Sequence, residues 1–577
     1  MASERSSENS TKKQRTQPLR RGKACINCRH LKIKCDGVRP VCGQCARVPK
    51  DDPCEFTDTM SRTQELESTV ERLQSRLNEL QGVAGPSNHG HARRSPFNGS
   101  SGSDASPTFP NFSSRPHSAP SSSSSFLDFQ EPPLVVIQRL LQTFLPHATQ
   151  FGFFLDLQRF SDAALLPFPF GDERRPSPAL LCVVYLYGVH LSRSQPLLAS
   201  EPVFLKCAQQ NISTAISVHT HPMHILHTIQ AQVLLSTYLF RTKRFLEAEF
   251  HANGAATLAL GYQLHKIRSA RPNTPPLLGV PTLLEEVYPT PPADAIEEGE
   301  RIRAFWAVAS LQSNLNIALG AASGAFCILE APGGAAIDTP WPLELADYEA
   351  GAMPPGYSGQ ESIRHFLTDD SFPRHSPPSM FHAKASVLLY RAARLGASWS
   401  PSFQPQEHAA YTTSYTWLDR RITQFWESLP PIYTLYTTAS ASASGRTLVL
   451  AHALVAAAAI KLNRPACSAS AEAQTKCIDA ARAILSVFGD ASDAVPDRAI
   501  VHPVVGWLMA LACRVLLDAV RHCQRVFRMG WAPSGEEVTF VGEEELRAGM
   551  ATMGVYAVGC PLVEYQLGKV RQEYDAM

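Results

Sequence analysis

Along residues 132–577 apolar positions recur with the 3.6-residue period of amphipathic helices. Leu226, Ile229, Val233 and Phe240 form one stripe, and Ala304, Val308, Leu311, Leu315 and Leu319 form another. The same reading predicts helices over 134–145, 179–193, 245–265, 380–395, 411–428, 446–463, 470–488, 502–527 and 543–570. Alternating strand patterns are scarce, so a large all-α body is expected, with no fixed-period repeat. Two stretches interrupt it: 267–296, which holds seven prolines, and 328–378, rich in glycine and proline. The longest apolar run, LVLAHALVAAAAI from Leu448, is thirteen residues long and contains His452. Crossing a bilayer takes about 20 residues, so the run reads as a buried helix and no membrane partner is expected.

Upstream the pattern changes twice. Residues 84–131 contain no Val or Ile, and 24 of these 48 residues are Ser, Pro or Gly. Such a segment buries too little surface to offset the entropy of ordering and is predicted to be a disordered linker. Before it, Leu66, Val70, Leu73, Leu77 and Leu80 are spaced by 4, 3, 4 and 3 residues, an a/d seam. Residues 57–83 are therefore read as a linker and a short coiled coil that joins two copies; the alternative is a helix docked on its own chain.

The formal charge of +1 conceals an asymmetry. Residues 1–54 carry thirteen Lys or Arg against five Asp or Glu, a net +8, which leaves −7 for the remainder. A basic head on a mildly acidic body suits a polyanionic partner such as DNA. Residues 1–19 read as a disordered basic arm. The run Lys12, Lys13, Arg15, Arg20, Arg21 and Lys23 fits a nuclear localisation signal, a phosphate-contacting arm or a solvated tail. No secretory signal is expected at this polar end, and in a reducing compartment cysteines serve as metal ligands or buried apolar residues rather than as disulfides.

Six of the fourteen cysteines lie within this head: Cys25, Cys28, Cys35, Cys42, Cys45 and Cys54, in the pattern C-x2-C-x6-C-x6-C-x2-C-x8-C. One half-motif is used twice. A C-x2-C pair grips an ion from a tight turn, and a third cysteine returns after a short excursion. All-sulfur tetrahedral sites favour zinc. Two zinc ions need eight ligand positions and there are six thiolates, so two sulfurs must bridge, and the bare cluster carries 4 − 6 = −2. A structural zinc module that binds protein, or an iron–sulfur site, is the rival reading.

With these six cysteines, the basic residues Arg29, Lys32 and Lys34 between the second and third, and Pro40 two before the fourth, residues 20–56 resemble the DNA-binding module of the fungal binuclear zinc-cluster transcription factors. The resemblance implies that Cys25 and Cys42 bridge, that Cys28 and Cys35 complete one zinc site, and that Cys45 and Cys54 complete the other. It implies that Lys32, at the end of a short helix, reads a CGG triplet in the major groove, donating to guanine O6 and N7. Arg29 and Lys34 would clamp phosphates, with Arg21 and Lys23 in the adjoining arm, and Pro40 would shape the loop between the halves, through a cis bond in one version. Leu31 departs from the second basic residue often found in the family.

Elsewhere the signals are weaker. His219, His221, His224 and His227 cluster, but Pro222 separates the first pair and no carboxylate is near, so these residues read as the start of a helix. Cys182, Cys207, Cys327, Cys467, Cys477, Cys513, Cys523 and Cys560 are scattered and expected to pack as core thiols. No G-x-S-x-G elbow, Walker loop or H-E-x-x-H occurs, so the chain is not expected to be an enzyme. HANGAATLALGYQLHKIR from His251 and RIRAFWAVASLQSNLNIALG from Arg301, followed by IDTPWP, resemble segments of the same family's helical regulatory domain. Gln312, Ser313, Ala321 and Ala322 depart from its pattern.

The expectation is a small binuclear zinc-cluster module, a short coiled coil, a disordered linker and an all-α regulatory domain over 132–577. The function implied is nuclear, zinc-dependent, sequence-specific regulation of RNA polymerase II transcription, by a homodimer acting with transcription machinery or co-regulators. A zinc-stabilised scaffold and a small-molecule enzyme with an α-helical body are the rivals.

Overall fold

Eighteen α-helices are described in a computed structural model that covers residues 24–25, 27–28, 32–47, 54, 129–192, 194–217, 222–270, 291–320, 337–369, 376–431, 443–494, 500–528 and 541–577. They belong to two units, one within Met1–Thr108 and one within Phe109–Met577. In the first unit the described residues hold a single labelled helix, α1 (Gly43–Arg47), beside the cysteines. The basic arm and the seam Leu66, Val70, Leu73, Leu77 and Leu80 lie outside the described residues.

The second unit is helical, and its described residues form no strand beyond an isolated bridge between Ser269 and Gly359. It opens with α2 (Leu134–Phe144), a 3-10 turn over Leu145–Phe151, α3 (Leu157–Ala164) and α4 (Pro178–Leu191). PALLCVVYLYGVHL is apolar on every side, and α4 is accordingly buried all round. Ser177 caps it by accepting the Leu180 N–H, and Pro178 occupies the first turn, where a missing N–H costs nothing. A Cβ on Gly188 would come 2.7 Å from the Leu140 carbonyl oxygen, so α2 crosses α4 backbone to backbone.

Next come α5 (Gln195–Leu198), α6 (Glu201–Ser217), α7 (Pro222–Arg241) and α8 (Phe245–Gly261). Cys182 on α4 and Cys207 on α6 are joined by a disulfide, where packed thiols were expected, because the two helices lie side by side with the Cα atoms 5.9 Å apart. Within the described part of the histidine cluster, the His224 and His227 rings stack at 6.4 Å. His227 Nδ1 accepts the Ser177 N–H at 3.3 Å, and burial, aided by His224, holds this ring down to about 4: it is a core histidine. His219 and His221 lie outside the described residues.

The chain continues through α9 (Ala295–Leu319), α10 (Leu345–Glu349), α11 (Ser362–Thr368), α12 (Pro378–Ala397), α13 (Pro405–Ser428), α14 (Ala443–Asn463), α15 (Ala471–Ala494), α16 (Val504–Arg528), α17 (Glu543–Ala557) and α18 (Pro561–Asp575). The alanine-rich run predicted to be buried is α14. Its apolar length would suffice to cross a membrane, yet most of it is packed inside the protein. Small side chains let α12 press against it: a Cβ on Gly396 would lie 2.2 Å from the Lys461 carbonyl oxygen.

Several boundaries differ from the periodic reading. The second apolar stripe extends back to Ala295, where Asp294 caps α9 by accepting the Glu297 N–H. The region 543–570 is two helices, α17 and α18, because Gly559, Cys560 and Pro561 break the turn. Helices α10 and α11 fall in a stretch read as loop. Phe129 and Glu131, assigned by composition to the linker, pack on the body, where Glu131 pairs with the buried Arg175 at 2.7 Å and accepts the Tyr185 hydroxyl.

The segments beginning at His251 and at Arg301 meet in space. Asp338, fully buried in IDTPWP, pairs with Lys266 of the LHKIR loop at 3.0 Å across 72 residues of sequence. Its carboxylate also accepts the Ser269 hydroxyl and the Glu361 N–H. Trp306 on α9 donates to the Pro340 carbonyl and stacks on Trp341 with ring centroids 4.1 Å apart. Gln312, one of the departures, is buried and donates to Asn253 on α8.

Candidate zinc and nucleic-acid site

The first unit has an inverted distribution of side chains. Among its described residues Cys25, Cys28, Cys35 and Cys42 are the buried ones, while Ile33, Val38 and Val41 are exposed. Asn27 and Cys28 are helical, and the Ile33 N–H donates to the Cys28 carbonyl at 3.1 Å, the long-range closure of a Schellman turn. Lys32 is the left-handed residue of that closure, at φ 51°, and both Lys32 and Lys34 are exposed. Arg21, Lys23 and Arg29 lie outside the described residues.

The second half repeats the first. The Cys45 N–H donates to Cys42 Sγ at 3.4 Å, as the Cys28 N–H does to Cys25 Sγ at 3.5 Å, so each C-x2-C pair folds over its own leading sulfur. A residue not singled out in the sequence braces this half. Asp36 accepts the Gly43 N–H with both carboxylate oxygens, at 3.1 and 2.9 Å, and so caps α1. Any Cβ on Gly43 would lie 2.3 Å from Asp36 Oδ2. The signal was present in the short polar turn Cys35-Asp36-Gly37, where Gly37 takes φ 72°. Pro40 follows a cis peptide bond from Arg39.

The six sulfurs form two overlapping groups of four: Cys25, Cys28, Cys35 and Cys42, and Cys25, Cys42, Cys45 and Cys54. Cys25 and Cys42 are common to both and are completely buried. Sulfur separations are 3.6 Å for Cys25–Cys42, 3.8 Å for Cys25–Cys45 and 3.6 Å for Cys28–Cys42. A tetrahedron of Zn–S bonds of about 2.3 Å has edges of about 3.8 Å, so the donors stand at the spacing a zinc ion needs.

Proton affinity is uneven across the cluster. Burial pushes the Cys28 thiol up to about 12. Burial also opposes ionisation of Cys42, but the Cys45 N–H and the Cys45, Cys28 and Cys25 thiols converge on its sulfur and hold it down to about 6. Divalent cations would replace the competing protons and satisfy all six sulfurs.

Two thiol quartets sharing an edge, with exposed lysines on the adjoining turn, define a thiolate metal module with a basic face. Residues 23–63 match the fungal Zn(2)-Cys(6) binuclear cluster domain, and this segment of the chain belongs to that zinc-binding family. A 64-residue stretch is 42% identical to the transcriptional activator protein acu-15 of Neurospora crassa, an alignment covering 10% of this chain and 7% of that protein. No solved structure matches the chain.

Proposed function

We propose that the chain is a nuclear, sequence-specific regulator of RNA polymerase II transcription whose zinc cluster reads CGG-type triplets in double-stranded DNA. The observation that carries this reading is the pair of overlapping thiol quartets sharing Cys25 and Cys42, with Lys32 left-handed at the edge of the first. Two zinc ions would occupy the quartets, Cys25 and Cys42 bridging them. Lys32 is exposed and left-handed at the end of the helical turn, and its ammonium would donate to guanine O6 and N7. Arg29 and Lys34 would neutralise phosphates on either side, and Arg21 and Lys23 would extend the contact along the backbone. The seam Leu66, Val70, Leu73, Leu77 and Leu80 would bring a second copy, so that two triplets are read together. The helical body would then contact transcription machinery or co-regulators and carry no catalytic role.

Selection of bound sequences from random DNA by the full chain tests this reading. CGG-containing sites should be enriched. Lys32→Ala should cost about 1 to 3 kcal/mol and relax the choice of triplet, whereas Lys34→Ala should weaken all sequences alike and flatten the salt dependence. Equal losses on CGG and scrambled DNA for Lys32→Ala would overturn the assignment.

A further inference from the structure

Inside the helical body a cavity of about 200 Å³ opens between α9, the start of α12, the start of α14 and the 3-10 turn after α2. Packed interiors contain few voids larger than a water molecule, and a cavity of about 150 Å³ suffices to bind benzene, so this space has the size of a ligand site. Its walls are mainly apolar, with Phe153, Trp306, Leu311 and Val449 among them. Against that background a few polar groups stand out.

Two buried polar atoms of this wall have no hydrogen-bond partner. Asn314 is 4% exposed, and its Oδ1 accepts nothing, although its Nδ2 reaches Ser386. The buried Nε2 of His382 is likewise unpartnered. Arg303 makes no ion pair or hydrogen bond among the described residues. Glu344, the one carboxylate in the described wall, is engaged by the Ser379 N–H and by the first turn of α10. Burial holds His382 down to about 4 and His502 to about 3, so both rings are neutral at physiological pH. With Arg303 and Arg446 against Glu344 the described lining carries 2 − 1 = +1.

Arg303 and Asn314 are 11 residues apart on α9, within about 20° of three full turns and about 16 Å along the axis. They mark the two ends of one helical stripe, with Ala307, Ser310 and Leu311 between them. We propose that this cavity binds an elongated amphipathic carboxylic acid, its carboxylate at Arg303, its apolar middle over Ala307, and a hydroxyl donating to Asn314 Oδ1. This goes beyond DNA reading and stands without it, because no residue of the zinc module takes part.

Calorimetric titration of the full chain with 10-hydroxydecanoate, decanoate and methyl 10-hydroxydecanoate tests the proposal. The hydroxy acid should bind saturably and with one-to-one stoichiometry, and each of the other two at least tenfold more weakly. Arg303→Met should bring acid and ester to equal affinity; Asn314→Leu should equalise hydroxy acid and decanoate. Ala307→Phe should plug the cavity and abolish binding of all three while the unfolding temperature holds or rises. If that variant does not fold, Ser310→Leu plugs the next turn and must give the same loss. No saturable binding of the hydroxy acid to the parent chain would overturn the proposal. So would binding that survives the plug, or an acid-over-ester preference unchanged by Arg303→Met.

Discussion

The zinc module and the helical body solve the problem of burial in opposite ways. In the module the sulfurs are inside and the branched aliphatic residues outside, with Val38 57% exposed. In the body Leu, Phe and Ala fill the interior, and the charges that enter it are met by specific partners, as Asp338 is by Lys266 and Arg241 by the Val501 carbonyl. A segment of this size has too little apolar surface to stand alone, so coordination must supply what packing cannot. The larger unit draws on area, and its polar contacts choose among packings.

Removing metal should separate the two regions most sharply. Structural zinc contributes on the order of 10 kcal/mol or more to folding small domains, so a strong chelator added to the full chain should abolish module structure and DNA binding. The unfolding transition of the body should not move. Cys42→Ser should lose all bound zinc, since Cys42 belongs to both quartets, and native mass spectrometry would count the ions. A body transition that falls with chelation would break the comparison.

The corresponding attack on the body is Asp338→Ala. It leaves the Lys266 ammonium, 11% exposed, without its carboxylate and strips acceptors from Ser269 and the Glu361 N–H. Breaking a buried pair by removing one partner costs about 3 to 5 kcal/mol. The urea midpoint of the body should drop accordingly, with zinc content unchanged.

The two regions were also unequally legible in the sequence. The metal site was readable because its six donors lie within thirty residues, and ligand chemistry restricts both their type and their spacing. Body helices with an unbroken stripe, such as that through Val308 and Leu315, were readable for the same local reason. Helix α6 was not, because the apolar face of EPVFLKCAQQNISTAIS is narrow, made of Phe204, Cys207, Ala208 and Ile212, and Asn211 is set into it. The Lys266–Asp338 pair, the Cys182–Cys207 bond and the cavity beside Asn314 depend on segments distant in sequence, and no periodicity encodes them. Asp36 was passed over because a capping carboxylate looks like any solvated acid until its glycine partner is seen.

The smallest expected effect sharpens the comparison at a single atom. Gly43 in the module and Gly188 in the body both lack room for a methyl group, but the obstacles differ. Beside Gly188 stand the carbonyl oxygen and Cα of Leu140, which cannot yield without separating α2 from α4, so Gly188→Ala should cost about 1 to 3 kcal/mol. Beside Gly43 stands the end of the Asp36 side chain, which can rotate away and forfeit the cap on α1 and a longer bond from the Val38 N–H. Losing a cap costs about 1 kcal/mol. Gly43→Ala should therefore lower zinc affinity by about tenfold at most and leave the stoichiometry unchanged. Asp36→Ala should reproduce that loss, and the double variant should add nothing, since both act through one hydrogen-bonded cap. Additive losses would mean that Gly43 is required for the backbone path itself, and the module would then depend on tight packing just as the body does.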